Sequence, residues 1–432
     1  MKRILIYILI IIVASFSFLF SPLPKKDLGP DKDCPVKFIR LNQHAGFRMN
    51  CDAIEFTGLS VNPSLLLQAK NRRQSRPLYI LSGSLIGYGI YFLSTPFHGI
   101  IESSLPKSTY PLIPENKASL YVSHYVALVL INLIVLIIAM YLFEQIILFA
   151  SGPWKNGIPI KLALLFFLVS NNITKVFFFA PHQQLFNTVL PLLSVWLCLK
   201  IYNSRYSLRH ALIYGFGAGI LLLFYGSFLF LLPVLLLSYL YRLVSGHDSR
   251  QQCIKTAVTS ISVFFIPLII WIGILYVGGY WFYSHETEYY RQFIWITDAL
   301  NDSTRSFGQE LWEGLQAYIL TFMPLVIPAI FFLMSYTFTK YPVHYRPPGS
   351  KKLQHIFLLI FVMLFFFYLL LGFYADRLSY TLAPLLICYS GIMVNRVTLK
   401  KAEISTFCIF IAAWHVFLIL NEMPHFSDRY YF

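Results

Sequence analysis

The chain has 432 residues, is 57% hydrophobic and only 12% charged, and has a mean hydropathy of +0.64. Soluble domains carry about 25% charged residues, so this composition excludes a soluble globular enzyme and leaves a polytopic membrane protein. The net charge of +15 does not mark nucleic-acid binding: polytopic proteins concentrate Lys and Arg in cytoplasmic loops as an orientation signal, and no basic stretch here is interleaved with aromatics in a soluble module.

Apolar runs of about 17–25 residues, the length that crosses a bilayer, recur along the sequence. Met1, Lys2 and Arg3 precede an apolar run over residues 4–20 that mimics a secretory leader. It is followed by Ser-Pro-Leu-Pro-Lys-Lys without a small-x-small cleavage site, so it reads as a retained first span. Residues 21–77 form a first polar loop. Within it Ile54, Phe56, Leu59, Leu65, Leu66 and Leu67, interrupted by Asn62 and Pro63, suit short amphipathic helices lying in the interface.

Further spans are expected at 78–93, 121–149, 162–179 and 185–201. Residues 211–244 carry no charge except Arg242 and are too long for one crossing; Tyr225, Gly226 and Ser227 supply a turn that makes two. The rest are 257–277, 315–338, 356–374, 382–394 and 404–420. The expected fold class is all-α: one transmembrane bundle over residues 1–432, with about twelve spans by length. A second outward loop covers 280–314.

Basic clusters at Arg205 and Arg209, at Arg242, Arg250 and Lys255, at Arg346, Lys351 and Lys352, and at Arg396, Lys400 and Lys401 alternate with loops that lack them. The positive-inside rule puts these four in the cytoplasm and the acid-rich 280–314 loop outside. The first half does not close. Counting back from Arg205 puts 21–77 inside, and its ten Lys/Arg against five acids agree; Met1-Lys-Arg at the start of the first span puts the same loop outside. A segment between Leu78 and Phe149 that fails to cross, or a crossing missed there, would reconcile the two.

Cys198, Cys388 and Cys408 fall in apolar spans, where Cys behaves as a small hydrophobe, and Cys253 in a short basic loop. Cys34 and Cys51 share the first loop and form a bridge if it faces an oxidising compartment.

The chemistry-bearing residues gather at loop–membrane junctions. Asp52 and Glu55 are three apart and share one face of a helix; a carboxylate there serves as a base on an acceptor hydroxyl, the plain alternative being a solvated loop acid. Arg72, Arg73, Gln74 and Arg76 directly precede Pro77 and the next span. Guanidinium groups grip phosphate oxygens in pairs; the alternative is interfacial anchoring of long cations, which needs fewer arginines than this. His182 and Gln183 at a helix end are substrate-contact candidates, whereas Asn171 and Asn172 suit hydrogen bonding between helices. His285 and Glu288 in the second loop are further contact candidates, or else a solvated loop edge with aromatic anchors. His285 with the paired acids could ligand a divalent ion, but no His-Glu-x-x-His spacing supports one, and no cofactor is expected. Arg377, at a short outward turn, must find an anion: Asp376, a lipid headgroup or a substrate phosphate. There is no phosphate-binding Walker loop, dinucleotide glycine motif or serine hydrolase elbow.

Four of these segments together carry a resemblance. They are Asp52-Ala-Ile-Glu-Phe with Arg73-Gln-Ser-Arg-Pro-Leu-Tyr79, Pro181-His-Gln-Gln-Leu-Phe-Asn187, Gly215-Phe-Gly-Ala-Gly219, and Asp376-Arg-Leu-Ser-Tyr-Thr-Leu-Ala-Pro384. In layout the chain resembles the GT-C superfamily of polytopic glycosyltransferases, which use lipid-phosphate-linked sugars. The resemblance implies a site on the outer face of a cell membrane, a polyprenyl-phosphate sugar donor, a glycan, lipid or protein acceptor, and Asp52 as base. It implies a donor phosphate held by Arg76 and Arg377, with Arg73 beside them. The Asp-x-x-Glu pair departs from the Asp-x-Asp or Glu-x-Asp of several members. A transporter or lipid flippase is the competing reading and would place its sensitive residues mid-membrane, at Glu144, Asn171, Asn172 and Lys175; no internal repeat supports it. A third reading is an assembly subunit that keeps the fold without activity.

Overall fold

The computed structural model describes residues 2–22, 37–40, 46–49, 51–104, 118–203, 207–245, 249–301, 306–339, 350–422 and 428–430. In chain order, α1 is Lys2–Leu19, then come the paired strands β1 (Lys37–Arg40) and β2 (Gly46–Met49), α2 (Cys51–Val61), α3 (Pro77–Leu93), α4 (His98–Ser104) and α5 (Ala118–Ser151). The middle holds α6 (Gly157–Val169), α7 (Asn172–Phe177), α8 (Phe186–Asn203), α9 (Leu208–Phe224), α10 (Leu231–Val244), α11 (Arg250–Val277) and two loop helices, α12 (His285–Glu288) and α13 (Ile294–Asn301). The last part is α14 (Phe307–Leu320), α15 (Val326–Thr339), α16 (Ser350–Leu371), β3 (Phe373–Ala375), α17 (Asp376–Ser379), α18 (Ala383–Arg396), α19 (Lys401–Leu420) and β4 (Asp428–Tyr430), which pairs antiparallel with β3.

The protein is thus a helical membrane bundle with two short strand pairs. Among the described residues eight helices are long and apolar enough to cross a membrane, or ten if each of two bent pairs is one span; α6 and α9 are shorter apolar helices. Counting those two as well gives twelve apolar candidates, one of which, the bent pair of α3 and α4, is set aside below. The expected break at Tyr225 is present, and two expected spans, 315–338 and 162–179, are each broken in two. The chain turns at Tyr225 between α9 and α10, and α14 meets α15 at 47°. The run 162–179 is split at Ser170, where the Asn171 side chain accepts the Thr174 N–H and caps α7.

Packing of α9 on α11 depends on small residues. A Cβ on Gly215 would stand 2.4 Å from the Ser260 carbonyl oxygen, and one on Gly219 2.1 Å from that of Phe264. Only glycine at this four-residue spacing lets the two backbones approach so closely.

The conflict over the first half disappears in the structure. Gly83 lies against Leu128 and Gly87 against His124, so α3 runs antiparallel beside the first part of α5. The far end of α5 carries Phe143 and Ile147 against Gly391, and Ser151 against Asn395, at the basic end of α18. With 34 residues α5 is about 51 Å long, well over a bilayer core of about 30 Å. Only its second part reaches the basic end, and α3 beside the first part does not. The apolar run 78–93 is therefore withdrawn from the count of crossings. Tyr7 of α1 donates to Glu144 near the basic end, while Ser21 donates to the Asn421 carbonyl at the opposite end. Lys2 and Arg3 thus lie with the other basic ends, and the first loop lies with the ends that lack them.

Of the earlier expectations, the Cys34–Cys51 bridge, the loop at Arg205, the loop at Arg346, and the side chains of Lys351 and Lys352 lie outside the described residues. Among the described residues Cys198, Cys253, Cys388 and Cys408 form no disulfide.

Candidate functional site

Asp52 enters through the first turn of α2, and Phe56 one turn on anchors that helix. Phe56 is buried edge-to-face against Tyr79 at 5.2 Å and His182 at 5.9 Å. The chain then leaves α2 through Pro63–Leu67 and a tight return. There Asn71 donates to the Leu65 carbonyl and accepts the Arg73 N–H, at 3.1 and 2.9 Å. That return brings the arginines back over α2. Arg73 lies 4.5 Å above the Phe56 ring and pairs with Asp52 Oδ1 through Nη2. It also holds Glu55 Oε2 through Nε and Nη2 at 3.0 and 2.8 Å. The Asp-x-x-Glu spacing is thus a clamp on one guanidinium. Glu55 is committed to it and does not line the cavity described below.

The second oxygen of Asp52 faces His182. The Gln184 N–H donates to His182 Nδ1 at 2.9 Å, which makes Nδ1 the acceptor and leaves the proton on Nε2. That Nε2 lies 3.1 Å from Asp52 Oδ2. Burial by itself would raise the Asp52 carboxyl, but Arg73, the His182 hydrogen bond and the more distant Arg377 outweigh it and hold the group well below the usual carboxylate range. Burial also lowers the His182 imidazole despite the pull of Asp52, so the ring is neutral. His182 is a positioning group for Asp52 as well as part of the cavity wall.

Arg76 closes the other side. Its Nη1 donates to Gln183 Oε1 at 2.9 Å, its Nη2 pairs with Glu286 Oε1, and its Nε has no protein partner. Burial lowers its guanidinium to about 10, with Arg73 adding to the shift, so it stays charged at neutral pH. Gln183 Nε2 donates to the Phe224 carbonyl at 2.8 Å and so fixes Arg76 to the end of α9. Gln184 Nε2 donates to the Arg377 carbonyl at 2.9 Å, which draws α17 to the same place.

Asp52, Arg72, Arg73, Arg76, His182, Glu286 and Arg377 line one cavity of about 340 Å³. Four arginines against two carboxylates leave the wall with a net positive charge, suited to an anion. The remaining wall is largely apolar and includes Leu222, Leu229, Phe265, Leu268, Phe367 and Leu371. Leu371, Phe367 and then Met363, Leu359 and His355 are four apart along one face of α16. The last three border a smaller apolar cavity against α10, at Val234, Ser238 and Tyr241. The two cavities thus lie along one face of α16, the charged one towards Leu371 and the smaller one towards Ser350.

Two expectations are corrected by this geometry. Gln74 is fully buried and is scaffold: it donates to the Leu66 carbonyl at 3.1 Å and accepts the Tyr283 N–H at 2.6 Å, while its own carbonyl accepts Trp271 Nε1. Glu288 is exposed and outside the cavity wall, and Glu286, two residues earlier, points in. His285 does line the cavity; burial and Arg72, Arg73 and Arg76 push its imidazole down to about 4. Among the described residues no three His, Cys, Asp or Glu converge to hold a metal ion.

The mid-membrane groups are tied up elsewhere. Glu144 accepts from Lys161 at 2.7 Å and Tyr7 at 2.6 Å. The Lys175 ammonium caps α19 at the Leu418, Asn421 and Glu422 carbonyls. Asn171 is a helix cap, and none of these residues borders the charged cavity.

No family model, no characterised protein and no solved structure matches this chain, so its chemistry is read from the geometry alone.

Proposed function

We propose that the chain is an integral-membrane glycosyltransferase of GT-C type. It moves a sugar from a polyprenyl-phosphate donor to an acceptor hydroxyl on the outer face of a cell membrane. The observation that carries this reading is the single cavity in which an ionised Asp52 faces Arg73, Arg76 and Arg377. That cavity lies at the end of the bundle opposite Arg242, Arg250, Arg396 and Lys401, the outer end by the positive-inside rule. The apolar part of the cavity wall, with Leu222, Leu268, Phe367 and Leu371, suits a lipid-linked donor rather than a soluble one.

Asp52 Oδ takes the proton of the acceptor hydroxyl, and the acceptor oxygen attacks the anomeric carbon from the face opposite the phosphate. The bond from that carbon to the phosphate oxygen breaks, the configuration inverts, and polyprenyl phosphate leaves. Charge grows on its phosphate as the bond breaks, and guanidinium groups already in place stabilise it. A depressed carboxyl is a weak base, which suits late proton transfer, when the attacking oxygen has become acidic.

The flippase reading draws on Glu144, Asn171 and Lys175, whose hydrogen bonds are spent on helix caps and an ion pair. Transfer of sugar from membrane lipid fractions tests the choice. Asp52→Asn and Arg76→Ala abolish it and Glu144→Gln retains it; the reverse pattern would favour transport.

A further inference from the structure

Glu286 occupies the place where an anion belongs. Its Oε1 pairs with Arg76 Nη2, and its Oε2 accepts the Ser75 hydroxyl at 2.9 Å and that of Ser284 at 3.4 Å. Both its partners outside its own loop, Ser75 and Arg76, belong to the segment that enters α3 and line the charged cavity beside Arg72 and Arg73. A phosphate brought to Arg76 meets this carboxylate first, and two anions cannot share one guanidinium edge without a like-charge penalty.

The loop that carries Glu286 is anchored at both ends and strained between. The Tyr283 N–H donates to Gln74 at 2.6 Å and the Phe293 N–H to the Leu371 carbonyl at 3.4 Å. Arg291, and Phe293 at the second anchor, hold left-handed φ values of 53° and 62°, a conformation strained for a non-glycine residue. Phe293 and Gln292 border the same cavity, and the Gln292 N–H donates to the Glu286 carbonyl at 3.1 Å. The backbone of Glu286 is thus tied to the strained part of the loop, while its carboxylate is held by Arg76, Ser75 and Ser284.

We propose that Glu286 is a resident counter-ion of the phosphate seat. It holds Arg76 and Ser75 in the empty enzyme, gives way to the donor phosphate, and returns to expel polyprenyl phosphate after transfer. This makes it a specificity-determining residue that weakens phosphate binding in order to release product. The proposal rests on the transferase reading only for what the phosphate belongs to; the seat itself is testable without turnover.

The probe is farnesyl monophosphate, titrated into purified full-length protein in detergent. Glu286→Gln, which keeps the shape and removes the charge, binds about tenfold more tightly than the parent, the equivalent of one lost charged competitor. Glu286→Asp behaves like the parent, and Arg76→Ala binds poorly in both backgrounds. In turnover, Glu286→Gln lowers both KM for the donor and kcat, because product stays. Equal or weaker binding by Glu286→Gln, with Arg76→Ala still impaired, would overturn the counter-ion role and leave the phosphate site standing. Binding unaffected by Arg76→Ala would overturn the phosphate site itself.

Discussion

His182 presents its Nε2 to Asp52 Oδ2 at 3.1 Å while its Nδ1 is held by the backbone N–H of Gln184. The tautomer is thus fixed by the chain, and the carboxylate is oriented by a neutral donor. Loss of charge at the carboxylate and loss of its orientation are separable. Asp52→Asn should lower transfer by about 10²- to 10⁴-fold, the worth of a positioned base. His182→Gln, able to donate but not fixed, should cost far less. Equal losses in the two variants would show His182 to be more than a positioning residue.

Arg73 sets where the base titrates. With Asp52 held well below the usual carboxylate range, the acid limb of kcat/KM lies below the ordinary aspartate value of about 3.9. The stability that this pairing contributes follows the same sign: present above the ordinary value, lost as pH falls through the folded one. In Arg73→Lys the charge remains but the two-toothed grip on Asp52 and Glu55 does not, and the limb should rise by about one pH unit. A pH–rate profile on both proteins checks this.

His285 acts in the same direction at higher pH. Its folded value of about 4 lies below the unfolded value of about 6.5, so between these limits only the unfolded chain binds the proton. Stability is complete above about pH 6.5 and declines towards pH 4. The thermal midpoint should fall by a few degrees, roughly, over that range, and His285→Gln should flatten the decline. An unchanged slope would remove His285 as its source.

Glu144 is buried and pairs with a partly exposed Lys161, with Tyr7 attached. Glu144→Gln leaves the Lys161 ammonium to water and should cost about 1–2 kcal/mol of stability, while transfer per folded molecule stays as in the parent. Thermal unfolding beside specific activity separates the two effects.

Gly219→Val places a branched carbon where even a single Cβ would stand 2.1 Å from the Phe264 carbonyl oxygen. The α9–α11 contact must open, at about 1–3 kcal/mol or more. Because Gln183 ties Arg76 to the end of α9, donor affinity should weaken along with stability. Gly217→Ala, with open space around it, should change neither.

The spans were legible because lipid leaves the backbone no partner but itself and so demands long apolar runs, which any reading of residues 121–149 or 257–277 finds. Asp52, Arg73, Arg76 and Arg377 were legible because charge at a membrane junction is costly and needs a reason. The path of α3 was not, since apolar length says nothing about direction; only the contacts of Gly83 and Gly87 reveal it. Nor was the choice of Glu286 over Glu288. In a four-residue helix that choice is set by the Ser284 cap and by left-handed Arg291 and Phe293, none of which has a sequence signature. Gln74 and Gln183 looked like ligand contacts because a buried scaffold amide and a substrate-binding amide share one chemistry.

The exposed flank of α3 carries Leu85, Phe92 and Leu93, each at least 78% exposed, on the same side of the bundle as the charged cavity. Such a flank suits a helix lying in the interface, its apolar side against acyl chains, which sets the mouth of the chamber at the level of the outer headgroups. On the proposed reaction the lipid-borne reactant never has to be lifted from its own monolayer. The other reactant must descend to meet it, and the depth of that well would set how bulky a glycan or peptide terminus can be served.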